Sequence, residues 1–441
     1  IAMHFLGLIF TTFGLLRVAV VAVSSAPGRP GWAFPEEDDV SLLQVKISNL
    51  SHSSSPGKCS GVFATSPPSS YQQAPSEESY AEALEQLDIN AVREDVLKRL
   101  TDSDACWPAD FGNYGPLFIR QAFHCAGTYA IHGGVSIGGC GGGRQRFEPE
   151  VNWDGNINLD KARALLLPIK EKYGDGLSWG DLITFAGTVA ARSMGAPVKS
   201  FCFGRVDDSD GTRSLQNALN MEVGPVTINA LGKHAEQGPE ELEWEASTLR
   251  FEWNHNKGFD DRQVVALLGG GHTFGKGHGA CNKTDAFGLR PSEAYALGEW
   301  PYQGLCGTGV GNDTYTTGFV GAFTRHPTTW DNEYFKDMFR EWELWKGPGG
   351  VYQWRLKNHP EDSRMRTGAD MALMHDPGYL KWVKIFSDNM TAFDEAWDEA
   401  WTKLITRGGR WSKSKKCDGA MLPEWLFLPY QEMMLATDVS I

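Results

Sequence analysis

A chain of 441 residues, 41% of them apolar and 16 of them tryptophan, has material for a sizeable buried core. It is long for one ordinary domain and short for three. The net charge of −14 gives no electrostatic support for binding nucleic acid or an anionic membrane, and reads most simply as solubility.

The sequence opens on Ile1, and an apolar stretch broken by Arg17 runs from Phe5 to Val23. Ser24, Ser25 and Ala26 supply the small residues suited to cleavage after Ala26, which predicts a secretory signal over 1–26 and a secreted protein. An uncleaved membrane anchor is the alternative, because the stretch nearly reaches spanning length. No later segment is long and apolar enough to cross a bilayer, so no stable span is expected after cleavage. Eight cysteines permit disulfides whose pairing the sequence does not reveal. Asn-X-Ser/Thr sequons at Asn49, Asn282, Asn312 and Asn389 agree with export and glycan attachment.

Residues 27–77 are rich in Ser, Pro and Gly and read as a linker. The folded domain is expected over 78–412, beginning near Tyr80, with a C-terminal extension over 413–441. Ala81, Leu84, Leu87, Val92, Val96 and Leu100 carry helical periodicity. Further helices are predicted at Leu117–Thr128, Leu159–Tyr173, Trp179–Met194, Asp260–Leu268 and Asn332–Trp345, and, with a break, at Asp376–Ile405. Strand-like alternation is scarce, and no internal repeat marks a solenoid or propeller. The expectation is an all-α domain with long Gly-rich connections at Gly133–Gly143 and Gly304–Gly318.

In Ile119-Arg120-Gln121-Ala122-Phe123-His124, Arg120 and His124 stand one helical turn apart on a shared face. A titratable base beside a fixed cation suits peroxide chemistry. The base moves a proton between the two oxygens, and the cation stabilises charge on the departing one. Taken alone, Arg-x-x-x-His is more often an ordinary surface or core pair.

The run from Tyr114 through Tyr129 resembles the distal helix of the bacterial catalase-peroxidases. The likeness continues through Gly141-Gly142-Gly143-Arg144-Gln145-Arg146-Phe147, Asn158–Arg163 and Ser178–Ile183, and covers roughly Tyr80 to Gly408. These ordered motifs resemble the class I branch of the plant-type haem peroxidases. The resemblance implies an all-α, two-lobed fold with haem b between distal and proximal lobes. It also implies that Asn156 accepts a hydrogen bond from His124 Nδ1, leaving Nε2 as the base. Read without it, Asn156 is a turn residue beside Gly155.

Leu267 through Gly275 resembles the family's proximal segment, which implies that His272 ligates the iron and that neighbouring glycines let the helix end approach the porphyrin. A His after glycines could otherwise simply end a helix. Thr367–Leu373 with Asp376-Pro377 resembles the segment carrying the proximal aspartate. Asp370 would then accept from His272 Nδ1 and make the imidazole more electron-donating; the alternative is a helix cap. His278 and Thr317 resemble positions near the haem propionates.

The chain also departs from that pattern. Phe123 stands where catalase-peroxidases and cytochrome c peroxidase carry the distal tryptophan, and Phe323 falls at the proximal tryptophan, while Trp330 matches a structural one. Phe123 cannot supply the Met–Tyr–Trp crosslink on which catalase activity depends in that family, and Val223–Pro239 holds no tyrosine to partner it. Gly155 replaces a peroxide-guiding aspartate, and the family's second, haemless half has no counterpart in this sequence. Cys125 and Ala126 follow the distal histidine where secreted fungal and plant peroxidases place a calcium-binding aspartate, so calcium is not expected. A class I backbone with phenylalanines beside the haem and a secretory signal resembles the hybrid-type peroxidases.

The expectation is therefore a peroxidase of the hydrogen-peroxide-accepting oxidoreductases. It would reduce hydrogen peroxide through compound I with Arg120, His124 and Asn156, and oxidise small reducing substrates with little catalase activity. Phe123, His272, His278, Thr317, Phe323 and Asp370 would line the haem. The alternatives are a catalase-peroxidase or ascorbate peroxidase and, in another class, a non-catalytic haem-binding or peroxide-sensing protein.

Overall fold

The structure, a computed structural model, describes residues 68–432 with breaks at 105–108, 157, 215–241, 278–318, 348–351, 360–361 and 430–431. The expected signal, most of the linker, the 304–318 connection, the 223–239 loop, His278 and Thr317 lie outside the described residues.

Helix α1 (Glu77–Gln86) starts at Ser76, whose side chain accepts from Ser79 N, and α2 (Ile89–Thr101) starts at Asp88, which accepts from Asn90 N and Ala91 N. The two caps split into two helices what reads as one periodic run. Packing begins ahead of α1: a 3₁₀ turn over Ser69–Gln72 buries Tyr71 against Trp179, with ring centroids 5.0 Å apart.

Helix α3 (Gly115–Ala126) opens with Pro116, which is tolerated where the backbone N–H would be orphaned anyway. A hairpin, β1 (Ala130–His132) and β2 (Val135–Ile137), follows. Helices α4 (Leu159–Tyr173) and α5 (Trp179–Ser193) come next, and thirteen of the fifteen residues of α5 are buried. Buried on all sides, α5 is the central helix of the core. It approaches α3 so closely that a Cβ at Gly187 would lie 2.5 Å from Ala122 Cβ.

After β3 (Cys202–Val206), helix α6 (Leu242–Leu249) passes into a π-helical turn over Arg250–His255. Helix α7 (Asp261–Gly271) carries a capping box between Asp260 and Gln263. Strands β4 (Lys276–Gly277) and β5 (Gly321–Ala322) pair antiparallel, and α8 (Glu333–Asp337) is short.

The helix expected over Asn332–Trp345 is not continuous. Only Glu333–Asp337 is helical, and Trp342–Lys346 forms β6, pairing with β7 (Tyr352–Leu356), which pairs in turn with β8 (Met365–Arg366). Short aromatic-rich runs fit both periods, and the cross-strand partner decides between them. Helices α9 (Gly368–His375), α10 (Pro377–Asp388) and α11 (Met390–Thr406) complete the helical part, with the break expected in the last run falling at Asn389. Strand β9 (Arg410–Cys417) pairs with β3 across the domain boundary expected at residue 412, and a Cys202–Cys417 disulfide joins them.

Among the described residues the fold is mostly helical with small antiparallel sheets. One large apolar cluster runs from α1 through α11, with Trp179, Trp397 and Trp401 wholly buried. Each such side chain contributes about 1.5–3 kcal/mol relative to exposure. That packing gives α3, α7 and α9, which carry the site, a fixed background.

Candidate active site

Arg120 and His124 lie on one face of α3, as their spacing requires. The 3₁₀ turn over Asp154–Asn156 holds both. Arg120 Nη2 donates to Gly155 O at 2.7 Å, and His124 Nδ1 lies 3.3 Å from Asn156 Oδ1. Asn156 is fixed in its turn, donating from Nδ2 to Glu150 O at 2.7 Å and from its backbone to Trp153 O at 2.7 Å. The amide oxygen can only accept, so it holds the Nδ1–H tautomer and leaves Nε2 as the base. Asn156 is thus a turn residue and a partner of His124 at once. The use of Gly155 was invisible beforehand, because it is the backbone carbonyl that acts.

Electrostatics reinforce this state. Burial, and then the adjacent Arg120 charge, hold the His124 imidazole well below its usual 6.5. Burial also lowers Arg120 to about 10, which leaves it cationic at neutral pH.

His272 is the residue that ends α7, its N–H reaching Leu268 O, so the helix-end reading holds. Its side chain also pairs with Asp370, with Nδ1 2.7 Å from Asp370 Oδ1. Asp370 serves two purposes. Its Oδ2 accepts from Thr367 N and Oγ1 at 2.7 and 2.8 Å in the capping box that starts α9. Its Oδ1 accepts from His272 and from Tyr334 Oη, the latter at 2.5 Å. Burial alone would raise this carboxyl, but the charge and hydrogen bond of His272, with Arg366 and Tyr334, outweigh it and hold the group at about 2. The aspartate is therefore a fixed anion.

Phe323 stacks on the His272 imidazole with ring centroids 4.0 Å apart and planes at 14°. Phe123 packs 5.3 Å from Trp253, a buried ring at the π-helical turn. Trp330 stacks on Phe393 at 4.3 Å and donates from Nε1 to Asp394 at 2.7 Å, as befits a structural residue.

Tyr334 and Arg366 were missed by sequence reasoning. Arg366 is wholly buried, lies 4.5 Å over the Tyr334 ring and donates to Phe323 O at 2.6 Å, so it ties the stacked phenylalanine to the aspartate's second donor. A signal existed in Arg366 beside the Thr367-Gly368-Ala369-Asp370 motif, but one arginine beside a motif does not announce its partner.

The expected reason for the glycines needs correction. A Cβ at Gly269 would lie 2.3 Å from Phe335 Cζ, and one at Gly270 would lie 2.3 Å from Trp397 Cε3. These two positions admit core rings, and a Cβ at Gly271 would meet nothing within 4 Å among the described residues.

The donor set fits haem b. His272 keeps Nε2 as its second nitrogen because Nδ1 is committed to an anion, the arrangement that favours iron ligation. Lys276, four residues on, holds a buried Nζ that makes no hydrogen bond among the described residues and lies 3.6 Å from Asp110, a cation able to meet a propionate. His326, Asp331 and Glu333 also come within metal-binding reach of one another, but Glu333 is already engaged by Arg325 N and Arg364.

A cation and an imidazole on one helix and an anion-paired histidine on another form the arrangement expected of a haem peroxidase site. Comparison with known proteins agrees: the family model described as peroxidase matches residues 92–389, and the chain belongs to that family, whose cofactor is haem b. Within it, the chain is similar to a catalase-peroxidase of Halobacterium salinarum, 40% identical over 369 residues covering 74% of this chain and 50% of the relative. Catalase-peroxidases of Christiangramia forsetii (39% over 368 residues, 75% and 48%) and Escherichia coli (39% over 363 residues, 74% and 48%) are similar as well. The chain spans about half the length of the curated relatives it matches.

Proposed function

We propose that the chain is a haem-dependent peroxidase that reduces hydrogen peroxide and oxidises a small reducing substrate in one-electron steps. The observation that carries this reading is the turn at Gly155–Asn156, which holds Arg120 by a carbonyl and His124 by an amide oxygen. Bound haem would supply the two-electron chemistry, ligated by His272 and tuned by Asp370. His124 Nε2 takes the proton from one peroxide oxygen and returns it to the departing one, while the Arg120 guanidinium offsets the charge developing there. Asn156 keeps the other imidazole nitrogen protonated throughout. A non-catalytic haem sensor has no use for this pair, and its presence favours turnover.

Phe123 supports low catalase activity, since a phenyl ring cannot join a tryptophan crosslink. The names of the relatives favour catalase-peroxidase activity as the second reading. Two disulfides, Cys125–Cys140 in the core and Cys202–Cys417 between β3 and β9, support an oxidising compartment and hence export. Asn389, exposed at the N-cap of α11, accepts from Ala392 N through its oxygen and leaves its nitrogen for a glycan. Intact-mass analysis of the cellular protein should show a cleaved N-terminus and a glycan; a full-length, unglycosylated species in the cytosol would refute export.

The catalytic reading is tested by His124→Leu. Stopped-flow mixing with hydrogen peroxide should show a reaction slower by about 10²–10⁴-fold with haem still bound. An unchanged rate would sink the assignment.

A further inference from the structure

We propose that Arg144 is a positioning residue for the distal base, acting on His124 through Glu150 and Asn156; this rests on the reading of His124 as proton acceptor. The Arg144 side chain is 3% exposed and spends its guanidinium on three separate segments. Nε donates to Glu150 Oε1 at 3.3 Å, Nη1 to Asp208 Oδ2 at 2.7 Å, and Nη2 to Gly139 O at 2.9 Å. Glu150 is equally buried and takes a second hydrogen bond from Ser214 Oγ at 2.9 Å. The main-chain oxygen of this same Glu150 receives Asn156 Nδ2. The path from the guanidinium to the imidazole is therefore Arg144, Glu150, Asn156 and His124, every member buried.

The other two contacts of Arg144 anchor it to parts of the fold that cannot drift. Gly139 donates to Thr128 Oγ1, which donates to Cys125 O, and the neighbouring Cys140 is disulfide-bonded to Cys125, the residue after His124. Asp208 follows β3 and donates from its N–H to Gly142 O. A Cβ at Gly142 would lie 2.2 Å from Asp208 Oδ2 and 2.5 Å from Arg144 Nη1, so glycine is required there for the guanidinium to close. A buried cation surrounded by two carboxylates and a carbonyl is strongly determined in place, because releasing it would leave buried charges unpaired. Glu150 inherits that rigidity, and the position of Asn156 Oδ1 depends on Glu150.

The test is a double-mutant cycle on the haem-loaded protein, read by the association rate of cyanide. Hydrogen cyanide must give its proton to a distal base as it binds and is not turned over, so the rate reports His124 apart from peroxidase activity. Arg144→Gln should slow association by about 10–100-fold, the range for groups that orient an active residue from behind. Asn156→Ala should slow it at least as much. In the Asn156→Ala background, Arg144→Gln should cost less than about twofold, because its route is already cut. The same factor in both backgrounds would show a general structural effect and overturn the proposal, as would an unchanged rate in Arg144→Gln. Should that variant not fold, Glu150→Gln keeps the shape and runs the same cycle. It should slow association in the parent chain and add nothing to Asn156→Ala, and a parent rate left unaltered overturns the proposal. His124→Leu serves as control: if it leaves cyanide association unchanged, the acceptor reading itself has failed, a result distinct from additivity in the cycle.

Discussion

The two histidines of the site are held in opposite ways. His272 is bonded at 2.7 Å to a carboxylate fixed by four donors, in a contact between α7 and α9. His124 is bonded at 3.3 Å to a neutral amide that is itself held through backbone oxygens in a short turn. An anion behind an imidazole pushes electron density toward its far nitrogen, which suits a metal ligand. A neutral acceptor fixes the tautomer without storing charge, and burial, reinforced by the cation of Arg120, keeps the ring unprotonated. The same side chain is thus suited to a ligand's part or a base's part according to the charge of its neighbours.

The largest effect should come from breaking the charged side. His272→Ala removes the imidazole whose Nδ1 pairs with Asp370 and whose Nε2 would ligate the iron, and the purified variant should bind haem weakly or with an altered ligand field. Its absorption spectrum checks this, and a normal histidine-ligated spectrum with normal activity would remove His272 from the ligand role.

An intermediate effect should come from taking the cation from the neutral side. In the parent chain His124 stays neutral well below 6.5, so the peroxide reaction should hold its rate as pH falls through that value. Arg120→Leu removes one of the two causes of the depression, while burial remains. The acid limb of the rate–pH profile should therefore move up toward 6.5, and the plateau should fall as the departing oxygen loses its counter-charge. A limb that stays put, or moves down, would mean that Arg120 does not act on His124.

The smallest effect is expected where the comparison turns on apolar rings. Phe123→Trp restores an oxidisable ring beside Trp253, yet Val223–Pro239 offers no tyrosine to join it. An oxygen electrode should record little gas from peroxide alone, in the parent and in the variant. Vigorous oxygen evolution by the parent chain would overturn the low-catalase reading.

Much of this was legible in the chain itself. Arg120 and His124 are four residues apart, and any helix there must place them together. The order of Asn156, His272 and Asp370, with the motifs around them, pointed to their roles, and the site pairs each histidine with its expected partner. Rules that seemed to compete proved compatible: Asp370 belongs to a capping box and also accepts from His272, and His272 ends its helix and also pairs.

Other features could not be read along the chain. Trp342–Lys346 was expected to continue a helix and forms a strand because Tyr352–Leu356 lies alongside it. The glycines before His272 suggested room for a porphyrin, whereas Gly269 and Gly270 make room for Phe335 and Trp397.

By itself, the sequence determined the elements whose causes are local: helical spacing, caps, and the chemical type of each group in the site. Tertiary structure decided that Cys125 pairs with Cys140 and Cys202 with Cys417, that Tyr334 is a second donor to Asp370, that Gly155 lends its carbonyl to Arg120, and that Arg144 stands behind Asn156. The reason is range. Helical periodicity and capping act within about four residues, whereas Tyr334 and Asp370 are 36 residues apart and Cys202 and Cys417 are 215. Packing brings them together, and no local rule carries that information.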